Sequence, residues 1–199
     1  MEVWLQAVTR QIILYSLPVI VSLSIVGGIE ALRRPREERP KQAFFALAWK
    51  GAWLPLAVSL IMQRGVIIGL PRPVMPGPGP ATTRLLVHVL LTGVGWLLYT
   101  WALGHQAPTG LPPLHFWWAK VLMYFNLCMA FLHILPLPGM LAGEALFSRW
   151  PHKQPLSWLA AYPVIWFTLL AASPLLDAGL GAYMIYPAYE YLASLATHL

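Results

Sequence analysis

The stretch from Asn126 to Phe147, NLCMAFLHILPLPGMLAGEALF, decides how the rest of the chain is interpreted. It begins as an apolar helix, breaks at Pro136 to Gly139, and continues through Gly143 and Glu144 into a second short apolar run. Proline removes a backbone donor and ends a helix, and unsatisfied backbone groups are costly in lipid. The pattern therefore predicts a kinked helix that lines a protein interior, where a functional site is expected.

The composition indicates an integral membrane protein. Of the 199 residues, 58% are hydrophobic and only 10% are charged, whereas a soluble domain carries about 25% charged residues. Ten Trp and eight Tyr residues are typical of interfacial aromatic belts. The net charge of +6 comes from cations that mostly flank apolar spans, which favours orientation in a bilayer over binding to nucleic acid. The single cysteine, Cys128, excludes an intramolecular disulfide and is interpreted as a small buried hydrophobe.

The first half of the chain predicts one clear span followed by an ambiguous segment. Residues 12–32 are long enough to cross a bilayer, and the early Glu2 favours a retained first helix over a removable signal peptide. The basic loop 33–42, which begins RRPREERPK, predicts a cytoplasmic position and an external amino terminus. Residues 43–70 are apolar but interrupted by Lys50, Pro55 and Arg64. They form either a tilted span or a re-entrant hairpin, and the charge pattern favours the hairpin.

The second half predicts further spans after a Pro/Gly-rich connector at 71–82, whose first ten residues, PRPVMPGPGP, we expect to be non-helical. Apolar segments follow at 84–103, 115–135, 158–176 and 179–195. The chain is thus predicted to be a single all-α, polytopic transmembrane domain, 1–199, with about four to six membrane segments and a core helix kinked at Pro136 and Pro138. We expect a multi-pass protein of the bacterial inner membrane.

Two features of the predicted spans bear on their packing. Glu30 lies near the end of the first span beside Arg33 and Arg34, which favours an interfacial carboxylate over a functional acid. Thr92, Gly93 and Gly95 form a small-residue face suited to close helix packing.

The order of these features resembles the site-2 protease family of intramembrane zinc metalloproteases. In that family a late span carries a run like Phe-Asn-Leu-Leu-Pro-Ile-Pro-Pro-Leu-Asp-Gly-Gly. Here Phe125-Asn126 opens the corresponding span, and residues 133–138, HILPLP, resemble the Asn-Leu-Leu-Pro-Ile-Pro segment with histidine in place of asparagine. Residues 85–103 resemble the family's middle core helix, and residues 18–35 are similar in hydropathy to its zinc-binding helix. The resemblance implies a core motif of Asn126, His133, Pro136, Pro138 and Gly143.

The chain departs from the family at the residues that carry its chemistry. None of its six histidines is followed by glutamate, so the His-Glu-x-x-His motif that binds zinc and activates water is absent. Ala142 precedes Gly143 where the family has its third-ligand aspartate. The resemblance therefore implies a degenerate member, more a pseudoenzyme than an enzyme. We predict no catalytic residue and no cofactor.

The leading functional hypothesis is a non-catalytic, structural or regulatory subunit that binds other integral membrane proteins within the lipid bilayer. The alternative is a membrane enzyme or redox protein with a non-standard site at His88, His133 and Glu144. Imidazole and carboxylate ligands suit a divalent metal, and two histidines from different spans could ligate haem. A transporter or channel ranks third, because the spans contain few polar residues.

Overall fold

A computed structural model of the chain describes residues 2–33, 49–69, 77–106, 110–149 and 162–198. Within these ranges the regular elements are helices, and no strand occurs. They are α1 (Glu2–Leu32), α2 (Trp49–Ile61), α3 (Pro78–Gly104), α4 (Leu114–Leu132), α5 (Leu141–Arg149), α6 (Pro163–Ala172), a π-helix (Asp177–Ile185) and α7 (Tyr186–Thr197). The all-α prediction is confirmed for this part of the chain.

Among the described residues, two helices, α1 and α3, are long and apolar enough to cross a membrane. The 31 residues of α1 extend about 46 Å, well beyond a hydrocarbon core of about 30 Å. A third candidate exists if α6 and the helices from Asp177 to Thr197, which meet at an angle of 82°, are taken as one bent span. The wider expectation of four to six membrane segments stays a prediction.

The helix boundaries differ from the expected ones at two amino-terminal ends. Helix α1 begins at Glu2 instead of near Ile12, since the polar residues before Ile12 interrupt the hydropathy but not the helix. The expectation that residues 71–80 contain no helix is wrong at its carboxyl end, because α3 begins at Pro78. Proline is well suited to the first turn, where no intrahelical donor is required. Residues 71–76 of the connector and 34–42 of the basic loop lie outside the described residues.

The ambiguous segment has a helix too short to cross a bilayer followed by buried extended backbone. The 13 residues of α2 extend only about 20 Å. Val66, Ile67 and Ile68 then run through the core with at most 1% of their surface exposed. This shape is compatible with the re-entrant hairpin, although residues 43–48 and 70 lie outside the described part.

Partners from three elements satisfy the backbone of this extended run. The hydroxyl of Tyr124 on α4 donates to the Gly65 carbonyl at 2.6 Å, and the Val66 N–H donates to Asp177 Oδ1 at 2.7 Å. The Ile68 N–H donates to Ser59 Oγ on α2 at 3.3 Å. Non-helical backbone is tolerated at membrane depth only when protein groups satisfy it, and these three contacts would serve that purpose.

Helix α4 forms the centre of the packing. It contacts α1, α3 and the π-helix, and most of its residues from Val121 to Leu132 are buried. Cys128 is fully buried, as expected of a small hydrophobe. This central position brings Asn126 and the break that follows α4 close to residues of both α1 and α3.

Candidate functional site

The break between α4 and α5 is a compact turn whose backbone is satisfied locally. Helix α4 ends at Leu132, four residues before Pro136, and α5 begins at Leu141. The Ala142 N–H donates to the His133 carbonyl at 3.1 Å across the break. Pro138 is buried and Pro136 is exposed. The predicted kink is therefore present, but only part of it faces the interior.

Gly143 allows this turn to close. A Cβ at this position would lie 2.0 Å from the carbonyl oxygen of Leu137, far inside van der Waals contact. The obstacle is backbone, which cannot move aside as a flexible side chain would. Gly143 of the predicted core motif thus has a steric role that holds the first turn of α5 against the loop.

A chain of buried polar groups joins α1, α4 and α3. Asn126 is fully buried, and its Nδ2 donates to Ser22 Oγ on α1 and to the Leu122 carbonyl, both at 2.8 Å. Ser22 in turn donates to the Pro18 carbonyl at 2.7 Å. Asn126 Oδ1 is therefore left as an acceptor, and it faces Nδ1 of His88 on α3 at 2.8 Å. His88 must carry its proton on Nδ1 to make this hydrogen bond, which leaves the lone pair on Nε2.

His133 lies beside this chain but is committed to the turn. Its Nδ1 accepts a hydrogen bond from the Leu141 N–H at 3.1 Å, so a neutral ring carries its proton on Nε2. The ring centroids of His88 and His133 are 6.3 Å apart, with the rings tilted by 49°. The structure thus brings together two of the three predicted site residues.

The third predicted site residue, Glu144, accepts hydrogen bonds from the backbone. Its Oε1 accepts the Gly139 N–H at 2.8 Å, and its Oε2 accepts the Gly77 N–H at 2.6 Å. Gly77 immediately precedes α3. The Glu144 carboxylate therefore fastens the break after α4 to the beginning of α3, and both of its oxygens are engaged with backbone donors.

The structure shows Glu30, expected to be an interfacial carboxylate beside Arg33 and Arg34, packed inside the protein. Glu30 is 2% exposed and forms an ion pair with Arg84 on α3, which is 3% exposed. Arg84 also donates through Nη2 to the Gly139 carbonyl at 2.8 Å. A buried charge needs a partner and further hydrogen bonds to offset its desolvation. The guanidinium has both, whereas Glu30 Oε2 is buried without a hydrogen bond to the described residues. The pair links α1, α3 and the break at one end of the helix bundle.

The donor set does not fit a zinc site. Across the described ranges, no group of three or more His, Cys, Asp or Glu side chains is arranged to hold a metal ion. His88 presents a lone pair on Nε2, with Asn126 orienting the ring as a hydrogen-bonding partner of a ligand would. His133 has no such lone pair on Nε2, because its Nε2 carries the proton. Ligation through Nε2 would require the other tautomer, which gives up the hydrogen bond from Leu141.

Comparison with protein-family models, curated proteins and solved structures gives no match. The resemblance to the site-2 protease family therefore stays a prediction, and the site has to be interpreted from its own geometry. That geometry includes three residues that we did not predict as part of a site: Ser22, Glu30 and Arg84. The sequence did contain a signal for the ion pair. Glu30 lies near the end of α1 and Arg84 near the start of α3, so the two charges can pair where these ends meet.

Asn126 provides a direct test of the polar chain. Asn126→Leu keeps the side-chain size but leaves His88 Nδ1 without its acceptor and removes one of the two hydrogen bonds of Ser22 Oγ. An unsatisfied buried group costs about 1–3 kcal/mol. We expect the free energy of unfolding to fall by about 3 kcal/mol, measured by thermal unfolding in mild detergent. Thr100→Val is the matched control, because the Thr100 hydroxyl donates only to Trp96 of its own helix. Equal stability of the two variants would contradict a joining role for Asn126.

Proposed function

We propose that the chain is a non-catalytic, site-2-protease-like subunit of a larger assembly of integral membrane proteins, with a structural or regulatory role. It is a polytopic protein of the bacterial inner membrane in this proposal, with an external amino terminus. Its partners are other membrane subunits and the surrounding lipid. The two apolar helices α1 and α3 support membrane association.

One observation carries the proposal: the buried polar side chains are used to join helices. Ser22, Asn126 and His88 connect α1, α4 and α3, and Glu30 pairs with Arg84 between α1 and α3. Catalytic groups instead converge on a space where a substrate can bind, often with one side chain held ready for proton transfer. Buried polar contacts of the kind seen here support a stable scaffold.

The outer face of α3 supports a role in binding neighbours in the membrane. Five large apolar side chains on this face are 45–67% exposed: Leu86, Val89, Leu90, Val94 and Leu97. In a bilayer such a face contacts either lipid or another helix. Close approach of a second helix is favoured where small residues interrupt the large ones, and Gly93 lies in this face with open space around it.

Purification of the tagged chain from its native membrane in a gentle detergent tests the proposal. Mass spectrometry of the eluted fraction should find other integral membrane proteins in constant proportion to this chain across independent preparations. Gly93→Trp, which places a bulky ring on the outer face of α3, should lower the yield of these proteins. Ser148→Trp, at an exposed position on α5, is the control. Recovery of a stable monomer with activity of its own would refute the subunit function.

A second candidate function rests on the closeness of His88 and His133. Two imidazoles from separate elements, 6.3 Å apart, could hold a metal ion or haem if His133 changed its tautomer. This alternative predicts bound metal or a haem absorption band in the purified protein, lost in His133→Ala without loss of the fold. Blank metal analysis and a blank spectrum would exclude it.

A further inference from the structure

An apolar groove runs between the middle of α1, the carboxyl-terminal part of α3 and the amino-terminal part of α4. It encloses a cavity of about 230 Å³. Leu17, Pro18 and Val21 of α1 form one wall of the groove, and Leu98, Trp101 and Trp118 are among the residues that line its other sides. Leu17, Leu98 and Trp101 are each more than 40% exposed, so the groove opens to the surroundings.

A cation, Arg10, lies at one end of a stripe of α1 residues that continues into this groove. Arg10, Leu14, Leu17 and Val21 are spaced by four, three and four residues, which places them on one helix face. Arg10 and Leu14 line a second cavity of about 490 Å³ that opens at the start of α4. From Arg10 to Val21 the stripe covers about 16 Å along the helix axis. The surface is thus charged at one end and apolar along the rest.

The neighbours of Arg10 indicate the level of lipid headgroups. Its guanidinium carbon lies 5.8 Å from the centre of the Trp117 ring, and Trp118 Nε1 donates to the Ile13 carbonyl at 3.5 Å. Tryptophan is enriched where hydrocarbon meets headgroups. If the end of α1 at Leu32 is at one interface, about 20 residues span the hydrocarbon, and Arg10 is at the opposite interface.

We propose that this groove binds a phospholipid of net negative charge, with its phosphate on Arg10 and one acyl chain along Leu14, Leu17 and Val21. The inference rests on the membrane placement in the proposed function, but not on the identity of any subunit. Charge complementarity selects the headgroup, since Arg10 makes no ion pair with another described residue. The apolar lining of the cavity of about 230 Å³ suits an acyl chain.

Lipid exchange on the purified full-length chain tests this assignment. The protein in mild detergent is incubated with equal amounts of dioleoyl phosphatidylglycerol and dioleoyl phosphatidylcholine, and the retained lipid is quantified by mass spectrometry after size exclusion. We expect phosphatidylglycerol to be preferred about fivefold, as one interfacial cation allows. Arg10→Gln should bring the ratio close to one, and Val21→Trp, which fills the groove, should lower the retention of both lipids.

Two further variants serve as controls. Arg149→Gln removes an exposed cation elsewhere, and Leu90→Trp adds a ring on the outer face of α3, so neither should change the ratio. Equal retention of both lipids by the unmodified chain, or no effect of Val21→Trp, would overturn the proposal. If Val21→Trp instead removes a co-purifying membrane protein and leaves lipid retention unchanged, the groove belongs to a partner helix. The absence of partner subunits would refute only the proposed function and not the lipid site, because lipid exchange uses the isolated chain.

Discussion

Replacing Arg84 with methionine should lower the free energy of unfolding by about 3–5 kcal/mol, the usual cost of removing one partner from a buried ion pair. The substitution takes away the guanidinium that contacts Glu30, a carboxylate with only 2% of its surface exposed. It also removes the donor to the Gly139 carbonyl, which ties α3 to the break after α4. Thermal unfolding in mild detergent, followed by circular dichroism, measures the loss.

The double variant Glu30→Gln/Arg84→Met separates the cost of an unpaired charge from the cost of lost packing. Neutralising the carboxylate should restore a large part of the stability lost in Arg84→Met, because most of that cost is a charge left without its partner. Arg149→Met, at an exposed position on α5, should change stability little. A double variant no more stable than Arg84→Met would contradict the assignment of Glu30 as the buried partner.

Gly95→Val should separate α3 from α4 and lower the free energy of unfolding by about 3 kcal/mol, since added atoms in a packed interface force a backbone shift. A Cβ at Gly95 would lie 2.4 Å from the backbone nitrogen of Met123 and 2.8 Å from its Cα. These atoms belong to the central helix, so no rotamer change relieves the contact. The thermal unfolding assay in mild detergent detects the change.

Gly93→Val is the matched control on the same helix. A Cβ at Gly93 meets no atom within 4 Å, and the intrinsic cost of valine in a helix is the same at both positions. We therefore expect Gly93→Val to be close to the unmodified protein in stability. If both variants were equally destabilised, the close contact between Gly95 and Met123 would not be the cause.

The coarse fold could be predicted because it depends on local properties of the sequence. Apolar length marked the helices at 12–32 and 84–103, and proline marked the end of α4 before Pro136. The start of α3 at Pro78 does not follow from the role of proline as a helix breaker, because a proline in the first turn is compatible with the beginning of a helix. Local patterns indicate where helices exist more reliably than where they begin.

The site was harder to predict because it depends on how each helix is rotated about its axis. Gly93 and Gly95 were expected to share one packing face, yet Gly95 contacts α4 and Gly93 faces outward. The approach of His88 to His133 requires both the position of α3 and the turn after α4. Glu144 carries the same chemical group that a metal site would use, and only its backbone partners reveal a structural role.

Native mass spectrometry of the assembly released from its own membrane most directly tests whether this chain is a non-catalytic membrane subunit. The proposal predicts that the 22.2 kDa chain leaves the membrane in a complex of fixed composition with other membrane proteins. Gentle dissociation should release it with no added mass other than lipid. A lone chain of 22.2 kDa would contradict the proposal. A chain that carries the mass of haem or a metal ion would also contradict it, and would indicate a site at His88 and His133.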